Sequence, residues 1–188
     1  MIGIDFSMAS AAVVIGRSIY PEDLQMLCFR QRKKDSSLVD NITVIEYPDA
    51  ESDEERYYKV AKPIVDFILK HSDNSQVVWI EDYSFNSTGN VFNIAEATAT
   101  LKHMLWMEGY EINKVAPKAV KKFAGNGKAD KNDMYDMFVE KTGYDFNKSF
   151  EGPTKDLRTG YTQVPSPVSD IIDAYYVLHY GHANTIGV

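Results

Sequence analysis

Four acidic residues embedded in apolar sequence are the strongest candidates for chemistry. Asp5 lies in "IGIDF", Glu81 in "VVWIED", and Asp170 and Asp173 lie together in "SDIIDAYYV". A lone ionised carboxylate is costly to bury. We therefore expect each of these acids to lie at an edge, to be paired with a base, or to hold a cation.

The placement of the four acids suggests that they converge. Asp5 and Glu81 belong to two predicted strands, while Asp170 and Asp173 are three residues apart on a predicted helix and so share a face. Carboxylates brought together raise each other's pKa unless cations offset the repulsion. Oxygen ligands suit Mg²⁺ or Mn²⁺ better than Zn²⁺, and four carboxylates could hold two ions for phosphodiester cleavage. Taken singly, each acid also has an ordinary interpretation as a turn residue, a loop cap or a helix N-terminal acid.

Hydrophobic patterning predicts the elements that position these acids. Strands are predicted over 1–7, 11–20, 24–31, 41–47, 76–85 and 110–117, and helices over 51–71, 87–109, 118–124, 128–143 and 167–183. Pro63 predicts a kink or a break in the first helix. Early hairpin strands followed by alternating strands and helices imply a mixed sheet with helices on both faces, in a single domain spanning 1–188. Residues 144–167 read as a long loop whose basic and aromatic side chains either grip DNA or have no partner.

Composition limits the class of protein. The 188 residues are 44% hydrophobic and 25% charged, as expected for a soluble globular chain. The net charge of −7 argues mildly against nucleic acid, but six lysines and one acid between Lys114 and Lys131 could form a local anion site. Cys28 is the one cysteine, which excludes an internal disulfide. With no recognisable signal peptide or membrane span, we expect a cytoplasmic location.

Four motifs resemble, in order and spacing, those of the RuvC family of Holliday-junction resolvases. They are "IGIDFS", "WIEDYSF", "VAPKAVKKFAGNGKADK" and "SDIIDAYYV"; they span nearly the whole chain, and the third is the most specific. The resemblance implies an α/β, RNase H-like fold with a mixed five-stranded central sheet and helices on both faces. It also implies a nuclease, a crossover junction endodeoxyribonuclease, that resolves Holliday junctions or other branched DNA by metal-dependent phosphodiester hydrolysis.

The resemblance implies a role for each matching residue. Asp5, Glu81, Asp170 and Asp173 match the metal-binding and catalytic acids, which would hold two Mg²⁺ ions, or Mn²⁺ in their place. Lys121 (or Lys122) and Lys131 match basic residues near the scissile phosphate, and Lys131 is included among the catalytic residues. The expected DNA-binding set is Lys118, Lys121, Lys122, Lys128, Lys131, Tyr83 and Phe85, the two aromatics as stacking platforms for unpaired bases. A homodimer with helix 87–109 at a two-fold interface is implied, with no membrane partner and no nucleotide cofactor.

Some features depart from the family pattern and leave alternatives open. Phe6-Ser7 follows Asp5 where the family often has Pro-Gly, and loop 144–167 is long, which indicates a phage-type or otherwise divergent member. A general branched-DNA or flap nuclease, or one acting on RNA or RNA–DNA hybrids, remains possible. Other classes fit less well. An actin-like phosphotransferase needs two such halves, a 3′–5′ exonuclease would have an acid in place of Ser7, and an inactive DNA-binding relative need not keep all four acids.

Overall fold

The computed structural model describes residues 1–8, 10–30, 36–82, 91–150 and 164–185. Within these ranges the strands are β1 (Ile2–Asp5), β2 (Ala12–Ile15), β3 (Gln25–Arg30), β4 (Ile42–Glu46), β5 (Val78–Glu81) and β6 (Ile112–Val115). The α-helices are α1 (Asp53–His71), α2 (Val91–Met107), α3 (Pro117–Ala124), α4 (Lys131–Thr142) and α5 (Val168–Thr185). None of these helices combines the length and apolar character needed to cross a membrane.

The described strands form one mixed sheet of six in the order β4-β3-β2-β1-β5-β6. β1 pairs antiparallel with β2 and parallel with β5, while β6 lies parallel to β5 at one edge. The prediction of a five-stranded sheet is wrong because β4 adds a sixth strand. It pairs in parallel with β3 from Ile42 to Glu46, which satisfies its backbone groups on that side and buries Ile42 in the core.

The alternation of side chains along the strands separates two apolar layers. On one face, Ile2 and Ile4 of β1 pack in the same cluster as α1 and α2. On the other face, Val14 of β2 packs with α3, α4 and α5. The predicted arrangement, a mixed sheet with helices on both faces, is therefore confirmed.

Helix α1 is continuous through Pro63, so the predicted break does not occur. Proline removes one backbone donor and disfavours the helix interior. The apolar stripe continues on both sides of it, from Val60 to Ile64 and Ile68, all fully buried. This burial outweighs the local cost, and the Ser52 side chain caps the N-terminus by accepting a hydrogen bond from the Glu55 backbone N–H.

Two glycines let α5 lie directly on the sheet. A Cβ atom at Gly3 of β1 would lie 2.4 Å from the backbone oxygen of Ala174 and 2.4 Å from the backbone nitrogen of Leu178. A Cβ atom at Gly181 would lie 2.4 Å from the indole ring of Trp79. The absence of both side chains lets α5 pack closely on β1 and β5, the strands whose carboxyl ends carry Asp5 and Glu81.

Part of the predicted loop 144–167 contributes to the core. Phe146, in a short 3₁₀ turn (Phe146–Lys148), and Phe150 are buried in the α4–α5 layer. These aromatics therefore do not grip DNA, because they are packed inside the protein. Residues 151–163 of this loop lie outside the described part of the chain, as do the predicted stacking residues Tyr83 and Phe85.

Candidate functional site

Strands β1 and β5 present Asp5 and Glu81 next to one another. The two strands are parallel, and Ile4 pairs with Ile80, so Asp5 and Glu81 are the next residues of neighbouring strands. Ile4 and Ile80 both face the layer of α1 and α2. Because side chains alternate, both acids project to the opposite face, towards α5.

Helix α5 brings the other two acids to the same place. Asp170 and Asp173 are three positions apart, within the first two turns of the helix that packs on Gly3. Asp170 is only 4% exposed. The charges of Asp173, Glu81 and Asp170 all act on Asp5. The predicted convergence of these four carboxylates from three separate segments is therefore present in the structure.

The surroundings of these acids disfavour their ionised forms. Burial, followed by the charges of Asp173, Glu81 and Asp170, raises the pKa of Asp5 well above its ordinary value. Burial and the charge of Asp173 raise the pKa of Glu81 to about 7. Burial, helped by Asp170, raises the pKa of Asp173 to about 6 against the opposing lysines. Three acids in one place thus ionise less readily than isolated carboxyl groups do.

Two lysines lie beside the cluster and partly offset its charge. The Lys121 ammonium donates a hydrogen bond to the backbone carbonyl of Ala129 at 2.7 Å, and its charge lowers the pKa of both Glu81 and Asp173. The Lys131 ammonium lies 3.7 Å from Asp170 Oδ1 and lowers the pKa of Asp5 and Asp173. The site therefore combines a carboxylate cluster with two cations at its margin.

Asp170 is further held by two hydroxyl groups. Ser166 Oγ donates to Asp170 Oδ2 at 2.5 Å, and Ser169 Oγ donates to Asp170 Oδ1 at 3.3 Å. Lys131 Nζ in turn donates to Ser169 Oγ at 3.0 Å. The sequence prediction did not include either serine, although their positions four and one residues before Asp170 were visible.

The donor set has the chemistry of a hard-cation site. It consists of carboxylate oxygens, which Mg²⁺ and Mn²⁺ prefer, and their mutual repulsion is what a bound cation would relieve. In the described part of the chain, however, no three acidic, histidine or cysteine side chains stand in an arrangement that could hold an ion as they are. The residues fit a divalent metal in chemical type, and binding would require some of these side chains to adjust.

The other predicted DNA-binding lysines lie on the outer surface beside the site. Lys118 and Lys122 are exposed one helical turn apart on α3, and Lys128 is exposed in the turn before α4. Lys121, by contrast, is half-buried, and its charge acts on Glu81 and Asp173. Asp82, the acid next to Glu81, forms an ion pair with Lys114 at 3.3 Å.

Comparisons with known proteins identify the fold. No protein-family model and no curated protein sequence matches the chain. Among solved structures, Thermus thermophilus RuvC superposes with a TM-score of 0.58 at 16% identity, covering 97% of this chain and 96% of that one. T. thermophilus RuvC in complex with Holliday junction substrate gives 0.61 at 14% identity, covering 98% and 95%. The yeast mitochondrial Holliday junction resolvase Ydc2 gives 0.50 at 11% identity, covering 98% of this chain and 81% of that one.

The superpositions extend over almost the entire chain, so the similarity is not limited to the strands and helices around the acids. At 11% to 16% sequence identity, these superpositions establish the fold of the chain. The predicted resemblance is confirmed at that level: the chain has the RuvC-like, RNase H-like fold.

Proposed function

We propose that the protein is a metal-dependent endodeoxyribonuclease that resolves Holliday junctions and related branched DNA by phosphodiester hydrolysis. The observation that carries this proposal is the convergence of Asp5, Glu81, Asp170 and Asp173 at one end of a RuvC-like sheet. Two of the similar structures are RuvC itself, one of them bound to a Holliday junction. A single nuclease domain acting in the cytoplasm is part of the same proposal.

The proposed chemistry assigns different tasks to the acids and the lysines. The four carboxylates would bind Mg²⁺ or Mn²⁺, and two such ions, when bound, activate water and stabilise the leaving oxygen. Lys131, half exposed beside Asp170, would offset the negative charge that develops on the phosphate. Lys118, Lys122 and Lys128 would bind neighbouring phosphates, which compensates locally for the acidic net charge.

We test the proposal with a labelled four-way junction and a linear duplex of the same sequence, in Mg²⁺, Mn²⁺ or EDTA. We expect symmetric, metal-dependent nicks in the junction alone. Asp5→Asn should abolish cleavage but not junction binding, because losing a negative charge reduces repulsion from phosphate. Asp82→Asn is the matched control, since this neighbouring acid pairs with Lys114 outside the cluster.

The outcomes separate the proposal from its alternatives. Undiminished cleavage by Asp5→Asn would show that the site is wrongly assigned. Equal cleavage of junctions, flaps and simple branches would indicate a general debranching nuclease with the same site. Cleavage of RNA or of an RNA–DNA hybrid, but of no DNA, would contradict the proposed substrate.

The same proposal includes a homodimer formed through α2. Phe92, Ala99 and Trp106 are seven residues apart, so they line one side of the helix. Phe92 and Trp106 are 82% and 67% exposed, and the His103 ring stacks on Trp106 with centroids 6.1 Å apart. Large exposed aromatics aligned on one helix face are typical of an interaction surface. A two-fold dimer would match the symmetry of a four-way junction.

A further inference from the structure

The carboxylate of Asp170 is held differently from the other three in the cluster. Each of its oxygens accepts a hydrogen bond from a serine hydroxyl, Oδ2 from Ser166 and Oδ1 from Ser169. Between described residues, no side-chain hydroxyl bonds to the carboxylates of Asp5, Glu81 or Asp173. Ser166 makes the closer of the two contacts, and the 3.3 Å contact from Ser169 is long for this type of bond.

These hydroxyls are not required to cap the helix. The backbone N–H groups of Ser169 and Ile171, in the first turn of α5, already donate to the carbonyls of Pro165 and Pro167 at 3.1 Å each. A capping serine would instead accept a bond from one of the first helical N–H groups. The serine hydroxyls are directed at the Asp170 side chain, so their role concerns the carboxylate.

The geometry leaves Asp170 able to bind a cation while it is held. Each carboxylate oxygen can accept about two hydrogen bonds or metal-coordination bonds. Each oxygen of Asp170 accepts one hydrogen bond from a serine. Each oxygen therefore keeps the capacity for a further contact. Groups that hold a ligand in this way commonly decide how well a metal site binds, because the ligand need not be ordered when the ion arrives.

Ser169 has a second contact that extends this arrangement. Its oxygen accepts a hydrogen bond from Lys131 Nζ at 3.0 Å while its proton is donated to Asp170. Ser169 is only 3% exposed, so the bridge is shielded from water, whereas the Lys131 side chain is half exposed. One buried hydroxyl therefore fixes the distance between the ammonium and the acid.

We propose that Ser166 and Ser169 are positioning residues that orient Asp170 for a divalent cation, and that Ser169 also fixes the Lys131 ammonium beside that cation. This inference rests on the proposed function, because it assumes that the carboxylates bind metal. It goes beyond that proposal by assigning roles to two uncharged residues.

The first test measures metal binding without cleavage. Metal-free wild type, Ser166→Ala, Ser169→Ala and the control Ser149→Ala are titrated with Mn²⁺, and the rise in melting temperature is followed from each variant's own metal-free value. Ser149 is a suitable control because it is also buried and its hydroxyl bonds to Tyr144 outside the cluster. We expect the Mn²⁺ concentration at half-maximal shift to rise about tenfold for Ser166→Ala and to stay unchanged for Ser149→Ala.

A conservative variant separates positioning from general damage. Ser166 is partly exposed, and Ser166→Thr keeps the hydroxyl. It should restore the wild-type Mn²⁺ midpoint. A midpoint for Ser166→Ala equal to that of wild type, or a midpoint for Ser166→Thr as poor as that of Ser166→Ala, would overturn the assignment of Ser166.

The role of Ser169 towards Lys131 is tested by cleavage at saturating Mg²⁺. Ser169→Ala should have a lower kcat than Ser166→Ala, because only this change removes the hydrogen bond that holds the Lys131 ammonium. Equal kcat values for the two variants would overturn that part of the inference.

Asp170→Asn distinguishes failure of this inference from failure of the proposed function. If Asp170→Asn loses the Mn²⁺ response while both serine variants keep the wild-type midpoint, positioning by serine is wrong and the metal site stands. If Asp170→Asn responds to Mn²⁺ as wild type does, the metal site itself is wrong.

Discussion

Replacing Glu81 with glutamine should stabilise the metal-free protein. Burial and the charge of Asp173 raise the pKa of Glu81 from 4.5 to about 7, so the folded state resists ionising this group. Each tenfold change in a protonation equilibrium corresponds to about 1.4 kcal/mol, so the ionised side chain costs the folded state about 3 kcal/mol. Glu81→Gln removes that cost.

The sign of the pH dependence follows from the direction of the shift. Well below pH 4.5 both states hold the proton, and Glu81 adds no cost. Between pH 4.5 and about 7 the unfolded state releases its proton first, so the free energy of unfolding falls as pH rises. Above that range the full cost is present, and this part of the pH dependence should be missing from Glu81→Gln.

Urea unfolding in EDTA at about pH 5 and about pH 8 measures this difference. We expect Glu81→Gln to exceed wild type by about 3 kcal/mol at the higher pH, because the pKa of about 7 already includes the attraction of Lys121. The difference should shrink at the lower pH. Asp82→Asn is the control and should be neutral or slightly destabilising, because it removes an exposed ion pair worth about 0–1 kcal/mol. A Glu81→Gln protein no more stable than wild type at about pH 8 would refute the electrostatic description of the cluster.

Two further predictions concern the scaffold and the dimer. Gly3→Ala should lower the free energy of unfolding, measured with urea, by about 3 kcal/mol, because the new Cβ would meet the α5 backbone at 2.4 Å. Gly127→Ala is the control, since its Cβ would have its nearest neighbour at 3.7 Å. Equal losses of stability in the two variants would contradict the close packing of α5. Trp106→Glu should convert the dimer to a monomer in sedimentation velocity, whereas Tyr58→Glu, a similar change at a residue 52% exposed on α1, should not. A wild-type protein that is already monomeric at micromolar concentration would refute the proposed interface.

The layered fold and the acidic cluster were predictable because both depend on periodic patterns. The alternation that buries Ile2 and Ile4 also fixes the side on which Asp5 projects, and the same holds for Ile80 and Glu81. The spacing of Asp170 and Asp173 fixes a common helix face. What patterning cannot supply is which segments meet, and here the resemblance to RuvC indicated that the four acids belong to one site.

Other features depended on tertiary contacts that no local pattern encodes. Patterning predicts a strand over 41–47, but its place in the central sheet as a sixth strand depends on its pairing with β3. Pro63 sits in an unbroken helix because the buried stripe around it outweighs its local preference. Ser166 and Ser169 are common residue types near a helix start, and only the direction of their hydroxyls distinguishes them from capping residues.

The acidic cluster is better explained by function than by folding. If Asp5, Glu81 and Asp173 served stability, their partners would lower their pKa values; instead burial and mutual repulsion raise all three. A fold hosts many functions, so RuvC-like architecture alone would not decide the matter. A cluster of acids that is unfavourable to folding and is assembled from three segments gives further support for a functional site. Departures from folding preference of this kind concentrate at functional sites. Any cation that binds there stabilises the folded state by mass action, which couples the stability of this protein to the metal that we propose it uses.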